Sequence, residues 1–199
     1  MHSKTTTNGS NPQALVHQLP AGILSGDKST ELFACRETKR VFGISEGKTI
    51  AFADICPDKR TQLFERLLSD PIAMMDLGGL SPEKRLEKYA FCVFGALDHD
   101  PDFCKSGKLK DGDNFLCSGS CACLEWKSKS IKLDGNILKA WQVRMIQYIA
   151  VGYPDKEIAG LMEISISTLN THKAQLFALA NVTSSRALIL RATEQKIIQ

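Results

Sequence analysis

The sequence predicts a mainly α protein with an α+β amino-terminal part, and three observations predict it. From Leu138 onward, apolar residues recur at helical spacing in four short blocks whose junctions carry turn or cap residues, the pattern of a four-helix bundle. In the first half, two β-like runs are followed by helical blocks, two of which open on proline. Between these parts lies a glycine-containing stretch of little periodicity with four cysteines in 20 residues. Such a stretch buries too little apolar surface to order itself and is commonly held by metal. The expected division is a disordered or loosely docked segment at 1–30, a small α+β domain at 31–97, a cysteine-rich segment at 98–133 and the helical domain at 134–199.

Composition bounds what such a chain can do. With 199 residues, 43% apolar and 24% charged, it is ordinary globular material with a sizeable core. A net charge of +3 permits a nucleic-acid partner without requiring one. No run of about 18 apolar residues exists to span a membrane, and the start, MHSKTTTNGSNPQ, lacks the apolar segment of a secretory signal. Seven cysteines, an odd number, then argue for a reducing compartment, with cytoplasm as the default. Paired acids, a Ser-His-Asp order, a phosphate-cradling glycine loop and a nucleotide fingerprint are all missing, so the expectation is not an enzyme.

In chain order, residues 1–12 are rich in threonine, serine and asparagine, and LVHQLPAGIL at 15–24 is an apolar patch able to dock on the rest. ELFACRE at 31–37 and KTIAFADI at 48–55 read as strands, and the intervening TKRVFGISEG carries turn signals, so a hairpin or three-stranded sheet fits. Pro57 opens a helical block in which Leu63, Phe64, Leu67 and Leu68 share a side, ended by Asp70 and Pro71. A second block covers 71–77. A third starts at Ser81, as cap, and Pro82, and runs through Leu86, Tyr89, Ala90 and Val93.

The cysteine-rich segment spaces Cys104, Cys117, Cys121 and Cys123 as C-x12-C-x3-C-x-C. Tetrahedral zinc on four thiolates is the simplest reading, with His99 as a substitute ligand. An iron-sulfur cluster uses the same donors and ranks lower; four reduced thiols are the bland alternative. Cys35, Cys56 and Cys92 sit among apolar neighbours and read as structural. Asp98, Asp100 and Asp102 resemble a calcium loop, but Phe103 stands where a glycine turn is needed and no glutamate follows at the right distance. Lys105, Lys108, Lys110, Lys127, Lys129 and Lys132 form a charge run that is either a solvated face or a source of phosphate contacts.

The four carboxyl-terminal helices are expected near 138–151, 155–162, 166–180 and 184–197. The first aligns Val143, Ile146, Ile149 and Ala150 and stops at Gly152, a residue suited to the left-handed conformation past a helix end. Pro154 and Asp155 start the second, which buries Ile158, Ala159 and Met162. Ile164 and Ser165 make the corner, and the Ser165 hydroxyl can accept a backbone hydrogen bond from near Ser167 or Thr168. On the third helix Leu169, Lys173, Leu176 and Ala180 lie close to one stripe, while Ser167, Asn170, Thr171 and Ala174 point elsewhere. A helix of that kind can rest on its bundle and still enter a groove.

With Gly152, Lys156, Glu157, Ile158, Ala159, Ile164, Ser165, Thr168, His172 and Val182 in register, this stretch resembles a helix-turn-helix domain of the LuxR, FixJ and GerE type. The resemblance covers about 60 residues, carried by DKEIA, IS, T-x-x-x-H and V. It implies that 166–180 is a recognition helix lying in the major groove of double-stranded DNA, braced by the helix before it. It also implies a transcriptional regulator that pairs as a homodimer through a face carrying Leu188, Ile189, Ala192 and Ile197, with RNA polymerase as a further partner. The order of FCVFGALDHDPDF, a cysteine cluster and then this domain resembles, more loosely, the layout of small LuxR-type regulators.

The departures from the family carry information too. Lys139, Trp141 and Gln142 stand in place of Thr-x-Arg-Glu, Asn170 in place of a lysine and Leu179 in place of a second basic residue, while Ser185 and Arg186 arrive one position late. From 138 to the end, seven basic residues face four acidic ones, so this part alone should hold DNA weakly. Asn170, Thr171, Lys173 and Ser167 are the better candidates for DNA contact; Thr168, His172 and Lys156 complete the set, with Thr168 equally readable as a cap and His172 as packing. The competing function is a protein-interaction or redox- or metal-sensing module whose helix-turn-helix no longer binds DNA.

Overall fold

The computed structural model describes residues 19–118 and 121–198. The residues expected to be disordered at 1–12, and the start of the apolar patch at 15–24, lie outside the described residues. What is described of that patch is tied down by a bond from the Ala21 amide to the Asp98 carbonyl (2.9 Å).

The first half is built on three short strands, β1 (Thr30–Ala34), β2 (Val41–Ser45) and β3 (Lys48–Ala51), antiparallel in the order β1-β2-β3. The central strand is VFGIS, from the stretch that carries the turn signals, so of the two expected arrangements the three-stranded sheet is the one formed. Glu46 and Gly47, both at positive φ (51° and 78°), make the two-residue hairpin turn that joins β2 to β3. There follow α1 (Pro57–Leu68), α2 (Pro71–Asp76) and α3 (Pro82–Val93), each opened by proline; α3 packs on β1 and β2, and α1 packs on α3 and α2. Asp70 caps α2 by accepting from the Ala73 amide (3.1 Å), whereas Ser81 holds the cap position of α3 without a side-chain hydrogen bond. Of the apolar side expected for α1, Leu63 and Leu67 are buried and Phe64 and Leu68 are exposed. The innermost helix is α3, whose Tyr89, Ala90, Cys92 and Val93 are fully buried.

The second half begins with a hairpin of β4 (Lys132–Leu133) and β5 (Asn136–Ile137) and continues as α4 (Ala140–Val151), α5 (Asp155–Leu161), α6 (Ile166–Leu179) and α7 (Ser185–Glu194). These lie within about three residues of the expected bounds, as boundaries read from a pattern do. All four helices end in one way. Gly152, Glu163, Asn181 and Lys196 take positive φ (90°, 55°, 49° and 59°), and the amide of the following residue reaches back to the last turn, as from Tyr153 to Tyr148 (3.2 Å) and Ile164 to Ala159 (3.0 Å). This left-handed cap satisfies carbonyls that the helix leaves open and reverses the chain in two residues.

Each half has its own apolar core, and the cysteine-rich segment is a wall of both. Phe115, Cys123 and Trp126 belong to the first core; Leu116, Leu124 and Ile131 belong to the second. Polar contacts fix the same segment to the first half: Trp126 Nε1 donates to Asp76 (2.7 Å), and the Ser128 amide and hydroxyl both donate to Asp70 (2.7 and 2.6 Å).

Candidate nucleic-acid interface and thiol cluster

The start of α6 is set by Ser165, whose hydroxyl accepts from the Thr168 amide (3.1 Å) and meets the Thr168 hydroxyl at 2.9 Å. Leu169 and Leu176 are fully buried on the bundle, over Ile158 and Ala159 of α5 in the same core. Lys173 bridges to Asp155 at the start of α5 (2.8 and 2.9 Å). At the start of α4 the Gln142 side chain accepts the Lys139 amide (2.8 Å), so glutamine performs the capping that the family's glutamate would. Trp141, in the place of the family's arginine, stacks on His172 with ring centroids 4.3 Å apart, and His172 Nδ1 is buried without a partner.

The exposed residues of α6 are Ile166, Ser167, Thr168, Asn170, Thr171, Ala174, Gln175 and Ala178. Thr171 returns its hydroxyl to the Ser167 carbonyl (3.1 Å), and Asn170 has no hydrogen-bond partner among the described residues. Lys156 is exposed in the first turn of α5. The candidates therefore divide by geometry. Ser167, Asn170 and Lys156 stand free toward solvent, Thr168 and Thr171 are exposed with their hydroxyls bonded within α6 and its cap, and His172 and Lys173 are engaged in holding α6 to Trp141 and Asp155.

The charge of the bundle is largely paired. Arg144 bonds Glu125 (3.0 Å), Arg191 bonds Asp134 (3.1 Å) and Lys196 approaches Asp98 (3.5 Å). That leaves Lys139, Lys156 and Arg186 as the basic residues of the bundle without an ion pair among the described residues. Two expectations are corrected. Lys129 cannot serve a phosphate, because it is buried and donates to the Cys92 and Phe115 carbonyls. Leu188, Ala192 and Ile197, expected on a dimer face, are buried in the chain's own core, and Leu190 is the apolar residue of α7 that points out (62% exposed).

The thiol cluster also differs from expectation in one member. Cys92, Cys117, Cys121 and Cys123 bring their sulfurs within 4.8 Å of one another, with Cys92 to Cys117 at 4.0 Å and Cys117 to Cys123 at 3.3 Å. Cys104 is elsewhere, 3.0 Å from the Ser106 hydroxyl, and exposed His99 is outside the group. The reason is topological: Phe103 joins the sheet edge beside Thr30 and Leu109, which carries Cys104 away, while the last turn of α3 presents Cys92 to the loop. Mutual hydrogen bonding sorts the thiols. Cys121 is pushed far below the usual thiol value by Cys117, Cys123 and Cys92, and Cys123 and Cys92 are pushed up. Cys117, raised by Cys121 but lowered more by Cys123 and Cys92, falls to about 6.

A buried acidic group lies at the sheet edge. Asp102 accepts from the Leu32 amide (2.7 Å) and Glu31 from the Asp98 amide (2.7 Å), and each keeps a second oxygen buried without a partner. Burial, with the neighbouring acids adding to it, raises Glu31 to about 9, Asp113 to about 7 and Asp102 well above the carboxylate range.

No helix among the described residues is long and apolar enough to cross a membrane. Neither the curated proteins nor the solved structures give a match to this chain. A family model does match, that of the bacterial regulatory proteins of the luxR family, over residues 137–192, which begin in β5 and end in α7. The carboxyl-terminal four helices of this chain are a LuxR-type helix-turn-helix domain, a domain that implies DNA-binding transcriptional regulation.

Proposed function

We propose that the protein regulates transcription in the cytoplasm by binding double-stranded DNA as a homodimer, with α6 in the major groove. The observation that carries this is the free face of α6: a capped, braced helix that leaves Ser167, Asn170 and Thr171 open beside Ile166 and Ala174. Asn170 suits adenine, whose edge offers one acceptor and one donor to a side-chain amide, and Ile166 and Ala174 suit a thymine methyl. Ser167 and Thr171 supply hydroxyls for phosphate or base, and Lys156 a phosphate contact. Thr168, His172 and Lys173 act through the position of α6. RNA polymerase fits as a partner of a regulator of this kind, and zinc fits the clustered thiols.

The test is selection of duplexes from a random pool followed by anisotropy titration. Asn170→Ala should lose about 1–3 kcal/mol of discrimination at one base pair with the melting temperature unchanged. Unaltered affinity and unaltered preference would sink the reading. The pairing of Arg144, Arg191 and Lys173 with acids favours a second reading, a metal- or redox-sensing interaction module. Such a module would show no retention on nonspecific DNA even at low salt.

A further inference from the structure

We propose that Cys92, Cys117, Cys121 and Cys123 hold one zinc ion that clamps the cysteine-rich segment against α3 and so fixes the wall shared by the two cores. This rests on the zinc reading above and adds to it the donor set and the mechanical role. The distances fit a single ion. Tetrahedral zinc with sulfur at about 2.3 Å sets neighbouring sulfurs about 3.8 Å apart. The sulfurs here span 3.3 Å to a limit of 4.8 Å, too wide for a disulfide and too tight to enclose the extra irons and sulfides of a cluster.

A second observation comes from Lys129. Its ammonium is buried, donates to the carbonyls of Cys92 and Phe115, and has no carboxylate within ion-pair distance among the described residues. Asp113 reaches it only as a longer-range charge. A buried ammonium is costly without an opposing charge. Four thiolates around one divalent zinc carry a formal charge of about −2, on a group that includes the side chain of Cys92, the residue whose carbonyl takes that ammonium's hydrogen bond. On binding, those of the four sulfurs that still carry a proton release it to solvent, and the sulfur lone pairs go to the metal.

The clamp follows from where the donors sit. Cys92 belongs to α3, deep in the first core, and the other three belong to the segment whose Leu116, Leu124 and Ile131 enter the second core. Without the ion, residues 114–118 and 121–131 are held to the first half by the bonds from Trp126, Ser128 and Lys129, by Arg36 donating to the Leu116 carbonyl (2.9 Å), and by Phe115 and Trp126 packed on Phe91 and Tyr89 of α3, so the ion adds the one link that joins Cys92 directly to Cys117, Cys121 and Cys123. Cys117 and Cys121 are part-exposed, which gives metal a way in.

The experiment uses the full chain purified reduced and at low oxygen. Expected are one zinc per chain by metal analysis and, after exchange with cobalt, the ligand-field spectrum of a tetrahedral thiolate site. Cys92→Ser should lose the metal and Cys104→Ser should keep it. Hydrogen exchange of amides in 114–118 and 121–131 should run about tenfold or more faster after chelation, as local opening predicts. No zinc or cobalt binding, an iron chromophore, or loss of metal in Cys104→Ser with retention in Cys92→Ser overturns the site. Bound zinc with identical exchange before and after chelation overturns the clamp and leaves the zinc reading standing. Should Cys92→Ser fail to fold, alkylation of the natural protein decides: Cys104 labels at once, and Cys117 and Cys121 label only after chelation. Equal labelling of Cys117 and Cys121 in both states overturns the proposal.

Discussion

Lys173 ends on Asp155, and His172 lies on Trp141, so two side chains that the sequence offered for DNA contact are committed to the orientation of α6. Substituting either should change affinity and stability together, whereas Asn170→Ala should change base preference alone. For His172→Ala, the lost stacking corresponds to about 1 kcal/mol, read as a lower melting temperature with nonspecific DNA binding weakened uniformly. In β1, Glu31 sets a pH dependence. Its pKa is raised from 4.5 to about 9 in the folded protein, so the folded state binds the proton more tightly than the unfolded one. That stability is fully present below pH 4.5 and is lost as pH rises through 9. Asp113, raised to about 7, adds to the same slope over the lower part of that range. Thermal melts of the natural protein should therefore fall between pH 6 and 9, roughly where these groups differ from their unfolded values. Glu31→Gln should flatten the curve and raise the melting temperature at its alkaline end, and a flat curve in the natural protein would refute the assignment.

At the level of elements, the bundle depends on its corners. Ser165→Ala removes the cap of α6 at a cost of about 1 kcal/mol. The opposite is expected at Glu163, which ends α5 at φ 55° where glycine would be at ease. Glu163→Gly should stabilise the domain by about 1 kcal/mol, seen as a higher denaturation midpoint; a loss would mean that the side chain has a role beyond the turn. The sequence showed this device once, at Gly152, because glycine advertises the left-handed conformation. Asn181 also tolerates that conformation, but Glu163 and Lys196 give no such signal, and there the bonds of the last turn impose it. The same logic hid β2, since VFGIS lies between lysine and glycine turn signals and becomes a strand only because β1 and β3 are there to pair with it.

For the molecule as a whole, charge pairing limits how DNA can be held. With Lys139, Lys156 and Arg186 unpaired, the logarithm of nonspecific affinity should fall against the logarithm of salt with a slope of about −3 per bound copy. A slope much steeper would bring in Lys105, Lys108 and Lys127 of the cysteine-rich segment or the opening of ion pairs. The recognition helix, its cap at Ser165 and its supports were legible in the residues because helical period, capping and turn chemistry are local: each acts within four or five positions along the chain. The same locality explains the thiol error. Spacing joined Cys104 to Cys117, Cys121 and Cys123 because they are near in sequence, and left Cys92 as a small apolar residue of α3. Only the tertiary structure decided that Cys92 completes the group, that Leu188 and Ala192 face inward, and that Lys173 is neutralised by Asp155. These depend on which surfaces meet when two cores close on one shared segment, and apolar burial, being non-directional, writes no such partner into the pattern of either sequence stretch.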